Sequence, residues 1–469
     1  MAAHRIKLTD LTTYIDLYAG AVKLREGGLN IGAPRPDPRY ISSPISDGDN
    51  LSAIRYGNRT ITLRLRATGA SLSALQTNIR AIQRLLNDAS QYINNPGYRK
   101  VYLELQWGDS PSNSTYFQVL HGQLLMPDTW YSPALANSFN IIDCTLVLEC
   151  KPYGINIGVG IAQATLENYQ TDPAFNYQDI TMAESQGDVP AGLYIKIDQT
   201  GATGSKKLWV AKRSGARYND TLWTEGESET SSTDVEAAAK CTFSDQGDAA
   251  CSGANYRRNR YEPVAGSTAG QIIAYHSYDM ATPPRGTFRV LIRCAVNNAG
   301  TWANRKWGFG YVYGAKTYTP SLSLGEYFSN TAHTAFEWLD LGLLSIPPVP
   351  ESDGAGNNTF TLRINQYFDE THINGTYDWN LDTVFLLPVD EGVVILNSIA
   401  ADDIIAIDGW TDPPNVFKIA SDKITDYPSY VGAPFLLGRD NTRIYILRDD
   451  AIAVTFTVDT NYQPRRLTI

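Results

Sequence analysis

The order of apolar and polar residues predicts strands along most of this chain and one well-defined helix near its N-terminus. Between residues 60 and 68 every second side chain is apolar, as in a strand with one buried face: Ile61, Leu63, Leu65 and Ala67. Alternation returns between residues 101 and 107, where a second set of side chains is predicted to share a face: Val101, Leu103, Leu105 and Trp107. The two segments predict strands on either side of a helix.

Helical spacing replaces alternation between these strands. Apolar residues recur there at intervals of three and four residues: Leu72, Leu75, Ile79, Ile82, Leu85, Leu86 and Ala89. Ser73 and Gln76 have the spacing of a capping box, which predicts that the helix begins at Ser73. A proline and a glycine at positions 96 and 97 end it, because proline cannot continue a helix. The predicted helix spans residues 73–93.

The remaining periodicity predicts a mainly β chain in four consecutive parts. Residues 1–155 form an N-terminal β domain that contains the helix, and residues 156–186 form a linker. Residues 187–397 hold short strands separated by turn residues, which is typical of a β-sandwich or jelly roll. Residues 398–469 add further strands, and periodicity leaves open whether they form a third domain or complete an earlier sheet.

One polar stretch within the N-terminal domain differs from its surroundings. Residues 32–50 are rich in Pro, Asp and Ser and lie beside a strongly patterned core. So many loop residues in one place predict a contact arm, or a loop that packs on a neighbouring molecule.

Length and charge narrow the function classes. A chain of 469 residues exceeds one hydrophobic core and predicts two or three domains. The formal net charge of −10 argues against nucleic-acid binding, which draws on basic surface. No run approaches the ~18 apolar residues of a membrane span, and the N-terminus lacks a signal-peptide core. We therefore expect no membrane insertion and assembly in a cytoplasm.

The cysteines fit a reducing compartment, because there are five, an odd number. Cys144 and Cys150 are predicted on one strand face, roughly 20 Å apart, and cannot bond to each other without breaking that strand. Cys241 and Cys251 flank a polar loop and can pair. The sequence has no CxxC pair and no Cys/His cluster, so neither a zinc site nor another cofactor is predicted.

Enzymatic sites are weakly represented. Asp382, Asp390 and Glu391 surround a predicted strand and suggest a glycosidase acid pair, but glycoside hydrolysis needs two carboxyls across a cleft. Solvated strand ends explain these residues more simply. The chain has neither a Gly-x-Ser-x-Gly elbow nor a phosphate-binding Gly-rich loop. Residues 353–358 resemble an oxygen-rich Ca²⁺ loop, although a plain hairpin loop suffices. We predict no catalytic, cofactor-binding or metal-binding residue and no enzymatic activity.

Aromatic residues offer a candidate sugar site. Trp302, Trp307, Tyr311 and Tyr313 lie in a Gly-punctuated stretch beside basic residues, and aromatic faces with nearby polar groups hold saccharides. Residues 307, 309 and 311 also alternate as one strand face, so a core role competes with glycan contact.

A resemblance to a known family adds to this pattern. The run from Tyr56 to Leu63 (YGNRTITL), leading through Gly69 into the helix and on through the strands to Tyr153, resembles distal tail proteins, which form a ring at the tail tip of long-tailed, siphovirus-like bacteriophages. The resemblance implies a ring-forming β domain with one helix, often six-fold in assembly, and an added sandwich similar to carbohydrate-binding modules.

The expected function is therefore that of a structural virion protein at the tail tip or baseplate. Its expected partners are further copies of itself, a tail tube protein and tail-tip hub or fibre proteins. The alternative is a carbohydrate-binding adhesin or a polysaccharide-degrading tail protein, for which a host-surface glycan would be the ligand.

Overall fold

The fold is mainly β, as predicted, and the computed structural model separates the chain into two compact units. The described residues are 5–42, 49–92, 94–95, 97–107, 114–127, 140–157, 161–167, 177–181, 187–200, 206–217, 220, 222–235, 240–249, 251–262, 271–280, 283–295, 305–313, 316–318, 336–346, 360–368, 375–400, 402–410, 414–420, 423–449 and 455–467. Among them there is one α-helix, and no helix within these ranges has the length and apolarity needed to cross a bilayer.

Unit 1 comprises residues 1–159, 183–191 and 463–469 and is built around an antiparallel sheet. Its elements are β1 Arg5–Thr9, β2 Tyr14–Asp16, β3 Val22–Ile31, β4 Pro36–Ser42, β5 Asp49–Tyr56, β6 Arg59–Thr68, α1 Leu72–Tyr92, β7 Val101–Gln106, β8 Ser114–Leu125 and β9 Ile141–Ile155. Backbone pairing gives the order β2–β1–β7–β8–β9–β6–β3. The edges of this sheet are therefore β2 and β3.

The helix α1 begins one residue earlier than predicted, at Leu72, and its cap is different. The Ser71 hydroxyl accepts a hydrogen bond from the Ala74 amide at 3.2 Å. Ser71 therefore caps the helix, and the predicted Ser73–Gln76 capping box is wrong because Ser73 already lies inside the first turn. The predicted apolar face is buried except for Leu72, which is 37% exposed.

One glycine lets α1 approach the sheet closely. A Cβ atom on Gly122 of β8 would lie 2.5 Å from Leu86 Cδ2 of α1 and 2.8 Å from Leu148 Cδ2 of β9. Such distances are well inside van der Waals contact, so a larger side chain at position 122 would force these two leucine side chains to move. The missing side chain of Gly122 thus leaves the room that Leu86 and Leu148 occupy.

The strand β7 departs from its predicted half-buried pattern. All six of its residues are buried, including Glu104 on the face predicted to be solvated, while Trp107 lies beyond the strand and is 43% exposed. Glu104 accepts a hydrogen bond from the Ser114 hydroxyl at 3.0 Å and pairs with Lys7 at 3.5 Å. The neighbouring strands β1 and β8 place Lys7, Ser114 and Tyr116 around the Glu104 carboxylate, which alternation within one strand does not reveal.

Unit 2 comprises residues 160–182 and 192–462, and all its described strands pair antiparallel wherever a register is defined. The strands before the sandwich are β10 Ile161–Glu167, β11 Tyr177–Ile180, β12 Val189–Thr200 and β13 Lys206–Ser214. The strands after it are β25 Val393–Ile399, β26 Ile404–Asp408, β27 Asn415–Ala420, β28 Lys423–Asp426, β29 Tyr430–Gly432, β30 Leu436–Leu437, β31 Thr442–Arg448 and β32 Thr455–Arg466. The start of β12 and the end of β32 belong to unit 1.

A sandwich occupies the middle of unit 2. Its strands are β14 Trp223–Glu225, β15 Ser231–Asp234, β16 Cys241–Gly247, β17 Asn255–Tyr261, β18 Gln271–Met280, β19 Gly286–Ala295, β20 Arg305–Tyr313, β21 Lys316–Tyr318, β22 Glu337–Ile346, β23 Phe360–Phe368 and β24 Tyr377–Pro388. One sheet has the order β16–β17–β24–β19–β22 with β14 also on β24, and the other has the order β15–β18–β23–β20–β21. Both sheets contribute to one apolar core.

The strands that flank the sandwich pair with one another. The strand β13 pairs with β25 and β31, β12 pairs with β26, and β10 pairs with β32. The C-terminal strands therefore pair with strands that precede the sandwich. The segment predicted as a linker contains β10 and β11, and both are paired strands.

The five cysteines are free thiols, so Cys241 and Cys251 do not pair. Burial raises the pKa of Cys150 to about 12 and that of Cys144 to about 11. Both thiols pack in the apolar core of unit 1, where they remain protonated at neutral pH.

Candidate assembly surface

The polar stretch predicted as a contact arm forms a two-stranded ribbon. The strands β4 and β5 pair from Pro36 opposite Tyr56 to Ser42 opposite Asp49, and among the described residues they pair with no other strand. Proline and serine hide this ribbon from a periodicity search, since they break the alternation of apolar side chains.

The ribbon continues the β3–β6 pair lengthwise, beyond the end of β3 and the start of β6. The Gly32 amide donates to the Thr60 carbonyl at 3.2 Å, and the Gly57 amide donates to the Arg35 carbonyl at 2.8 Å. At its base the Tyr56 ring lies edge-on to Tyr153, with centroids 6.0 Å apart. The attachment is therefore fixed by backbone bonds and one aromatic contact.

The described side chains of β4 are all exposed. Residues 35–40 form a continuous exposed run, within which Tyr40 is 60% exposed. An isolated two-stranded hairpin is marginally stable in water, because it buries little apolar surface. Two free strand edges also invite pairing with another chain. The ribbon thus has the properties of an element that is stabilised by a partner.

The opposite edge of the same sheet exposes an apolar patch. Leu11, Tyr14 and Tyr18 lie at or beside β2 and are 54%, 64% and 55% exposed. Large apolar residues gathered at a sheet edge are typical of protein interfaces. We call these three residues the β2 patch.

The sequence analysis did not find the β2 patch, although a local signal exists. The Asp10 carboxylate accepts hydrogen bonds from the Thr12 amide at 2.9 Å and from the Thr13 amide, which folds the chain between β1 and β2. An Asp followed by Thr residues can form such a turn. Recognising this turn in the sequence would have placed Leu11 and Tyr14 at an exposed hairpin.

The four residues predicted to contact glycans are placed differently from one another. Trp307 is 1% exposed and packs in the sandwich core, which supports the competing core role for this residue. Tyr311 is half-buried and stacks on Phe360 with ring centroids 5.5 Å apart. Trp302 lies outside the described residues, and so does the side chain of Tyr313 in β20. Glycan contact by this group stays a prediction.

The carboxylate Asp382 is held inside the first sandwich sheet. It pairs with Arg293, also fully buried, and accepts a hydrogen bond from the Ser252 amide at 2.8 Å. Burial raises the pKa of Asp382 to about 6, and the neighbouring Arg293 opposes that shift. An acid already engaged by a buried guanidinium is poorly suited to proton transfer with a substrate.

The other two candidate acids belong to a separate polar network. Asp390 lies 3.5 Å from Arg213 and 3.6 Å from Arg217, and Glu391 lies 3.0 Å from Arg217. Glu391 also accepts a hydrogen bond from the Ser214 amide at 2.6 Å. These contacts tie the turn after β24 to the end of β13.

Metal binding receives no support from the described ranges. Within them, no three His, Cys, Asp or Glu side chains are grouped so as to hold a metal ion. The loop at residues 353–358, considered above for Ca²⁺, lies outside the described residues.

Comparison with known proteins yields matches among solved structures only. No protein-family model and no curated protein matches this chain. The crystal structure of the Dit protein (gp 19.1) of phage SPP1 matches with a TM-score of 0.32 and 7% identity, covering 98% of this chain and 99% of that chain. Two activated phage P2 baseplate structures, with Ca and with Sr, match at TM-scores of 0.29 and 0.30, each with 7% identity and with 97% and 98% of the two chains covered. A likeness this weak carries no argument about function.

Proposed function

We propose that this protein is a structural component of a bacteriophage tail tip, where unit 1 assembles into a homo-oligomeric ring of about six copies. The ring would join the tail tube to the host-recognition apparatus, with tail tube and hub or fibre proteins as neighbours. The sequence resemblance supports the location at a phage tail tip. The observation that supports assembly with further copies is the exposed β4–β5 ribbon.

The two edges of the unit 1 sheet suit a head-to-tail contact. A ring closed by rotation needs two different surfaces on each copy, one of which meets the other on the next copy. The ribbon extends the β3 edge, and the β2 patch lies on the opposite edge. In the proposed ring, the ribbon of one copy covers exposed surface on its neighbour.

The test is the mass of the full-length protein in solution, with negative-stain images of the same sample. We expect rings of about six copies from the unaltered chain. Replacing residues 33–56 with an Asn-Gly turn should leave monomers with α1 and the sheet intact, because β3 and β6 pair directly through Ile31 and Ile61. The double substitution Tyr14→Asp with Tyr18→Asp should also weaken the ring.

A matched control lies in unit 2. Ile424 and Tyr427 are 51% and 60% exposed, so Ile424→Asp with Tyr427→Asp adds the same charge to a comparable apolar surface. This variant should keep the ring. A monomer at every concentration of the unaltered chain, or rings that survive removal of the ribbon, would contradict the proposal.

A further inference from the structure

One segment of unit 2 joins the two sheets of the sandwich. Residues 222–234, which we call the crossover, begin with β14 on β24 of the first sheet and end with β15 on β18 of the second. The Leu386 amide donates to the Leu222 carbonyl at 2.6 Å, and the Thr230 amide donates to the Ser277 carbonyl at 2.7 Å. The crossover is therefore bonded at both ends.

Between these ends the crossover carries three half-buried glutamates at alternate positions. Glu225, Glu227 and Glu229 each have one carboxylate oxygen, Oε2, that is buried and has no hydrogen-bond partner among the described residues. The other oxygen of Glu225 accepts a bond from the Ser252 hydroxyl at 2.6 Å, and that of Glu229 pairs with Arg257 at 2.6 Å. An ionised carboxylate with a buried bare oxygen is costly, whereas a protonated one costs far less.

Acidic groups outnumber basic groups around these glutamates. Asp382 of β24 faces Glu225 and is neutralised by Arg293 of β19. Asp245 of β16 shares Arg257 of β17 with Glu229, at 2.7 Å. The remaining titratable neighbours are Asp248, Cys251, Tyr278 and His276 of β18, whose Nδ1 lies 2.9 Å from the Ser232 hydroxyl that donates to Glu229. Burial lowers the pKa of His276 to about 3, so this ring adds no positive charge at neutral pH. With every glutamate ionised, this region would hold an excess of buried negative charge.

The crossover also has no room to move the charges apart. A Cβ atom on Gly226 would lie 2.1 Å from the Leu381 carbonyl oxygen of β24. The Tyr278 hydroxyl, on β18 of the other sheet, donates a hydrogen bond to the Gly226 carbonyl at 3.0 Å. Close packing on both sides means that charge repulsion can be relieved by protonation or by local opening.

We propose that the crossover is a proton-dependent latch, which stays closed on β24 while Glu225 carries a proton and opens when Glu225 ionises. Glu225 is the key group because it lies at the end of β14, directly beside Asp382. This inference is independent of ring formation, since it concerns the sandwich alone.

The direction of the pH effect follows from the shifted groups. Burial raises the pKa of Glu225 to about 7, helped by Asp382 and Glu227 and opposed by Ser252 and Arg293. Burial also raises the pKa of Glu227 and Glu229. A pKa raised by folding means that the folded chain binds the proton more tightly than the unfolded chain. The stabilisation is therefore complete below a glutamate's ordinary pKa of about 4.3 and is lost as the pH rises through about 7.

Hydrogen–deuterium exchange of the full-length protein tests the latch. Protection of the crossover amides, corrected for intrinsic exchange, should fall about thirtyfold between about pH 5.5 and about pH 8.5, because the fall is a factor of ten per pH unit up to the folded pKa of about 7. Glu225→Gln imitates the protonated side chain and should remove most of this pH dependence, with Glu227 and Glu229 supplying what remains. Asp426→Asn removes an exposed carboxylate in the same unit and should exchange like the unaltered chain.

The unaltered chain decides the question even if Glu225→Gln folds poorly. Crossover protection that does not change with pH would overturn the proposal, and so would an equal pH dependence in Glu225→Gln. Ser252→Ala gives an independent check, because it removes a hydrogen bond that favours the anion of Glu225. If the latch is correct, this variant should lose crossover protection at a higher pH than the unaltered chain. Loss at a lower pH would mean that the bond mainly positions the crossover, and would contradict the latch.

Discussion

Unit 1 carries 17 Lys and Arg residues against 14 Asp and Glu residues, whereas unit 2 carries 22 against 35. Their formal charges are therefore +3 and −13, and the acidity of the whole chain comes from unit 2. Copies of a weakly charged unit approach one another with little electrostatic cost, while copies of a strongly acidic unit repel. The contrast favours unit 1 as the part that meets further copies, in line with the proposed ring.

The two units also differ in where their ion pairs lie. In unit 1, Arg66 and Asp143 pair at 2.7 Å with side chains that are 51% and 41% exposed. In unit 2, Arg293 and Asp382 pair with no exposure at all. Exposed pairs are screened by water, whereas a buried pair leaves an uncompensated charge when one partner is removed. Unit 2 thus contains an ion pair whose loss would leave a fully buried charge, whereas the Arg66–Asp143 pair of unit 1 lies in water.

Removing one partner from each pair gives the largest contrast. Arg293→Ala should destabilise unit 2 by about 3–5 kcal/mol, because it leaves Asp382 buried without its guanidinium. Arg66→Ala should leave the stability of unit 1 nearly unchanged, because water screens this exposed pair. Urea unfolding, followed by hydrogen–deuterium exchange within each unit, measures both changes in stability. Similar losses in the two units would contradict the contrast between buried and exposed ion pairs.

Helix packing in unit 1 supplies the next effect. Gly122→Ala should cost about 1–3 kcal/mol, because the added methyl group meets Leu86 and Leu148 inside contact distance. The matched variant Gly438→Ala adds a methyl group in unit 2 where no atom lies within 4 Å. That control should change stability by less than about 0.5 kcal/mol. A cost-free Gly122→Ala would show that α1 tolerates a shift.

The helix cap has a smaller expected effect. Ser71→Ala should cost about 1 kcal/mol, since it removes the side-chain acceptor for the Ala74 amide. Ser73→Ala should be neutral or slightly stabilising, because alanine is the better helix former inside the first turn. Thermal unfolding of the two variants compares them directly, and a larger loss from Ser73→Ala would restore the capping box predicted from sequence.

The parts of the fold that could be predicted from sequence depend on local periodicity. Apolar residues alternate along the strand β6 and recur at helical spacing along the helix α1, and each element buries one face. Their apolar residues therefore identify both elements in the sequence. The cap was displaced by two residues because Ser71 and Ser73 are both plausible acceptors and only the backbone path distinguishes them. Glu104 on β7 was misassigned because its cover comes from other strands.

The candidate surfaces required tertiary information. Residues 32–50 were identified as a contact arm from composition, but their pairing as a ribbon depends on the register between Pro36 and Tyr56. The Ser, Thr and Glu run of the crossover carries no local sign of burial. The partial burial of its glutamates follows from the passage of the chain between two sheets, which no local pattern encodes.

A carboxylate of unit 1 provides the smallest and most discriminating effect, because its pKa moves in the opposite direction to that of Glu225. Burial raises the pKa of Asp10, but hydrogen bonds from the Thr13 amide, Arg99 and the Thr12 amide outweigh it and lower the value to about 2. Stability from this group is therefore present above the ordinary aspartate pKa of about 3.9 and is lost as the pH falls through about 2.

Asp10→Asn should destabilise the β1–β2 turn by less than about 1 kcal/mol at neutral pH, because an asparagine oxygen can still accept the two amides while the pair with exposed Arg99 is lost. Exchange of the turn amides measures the loss, which should shrink as the pH approaches 2. Glu225→Gln should instead stabilise unit 2 at neutral and higher pH. If the two substitutions change stability in opposite directions, unit 1 is stabilised by an ionised carboxylate and unit 2 only tolerates one. If both change stability in the same direction, the two units differ in total charge alone.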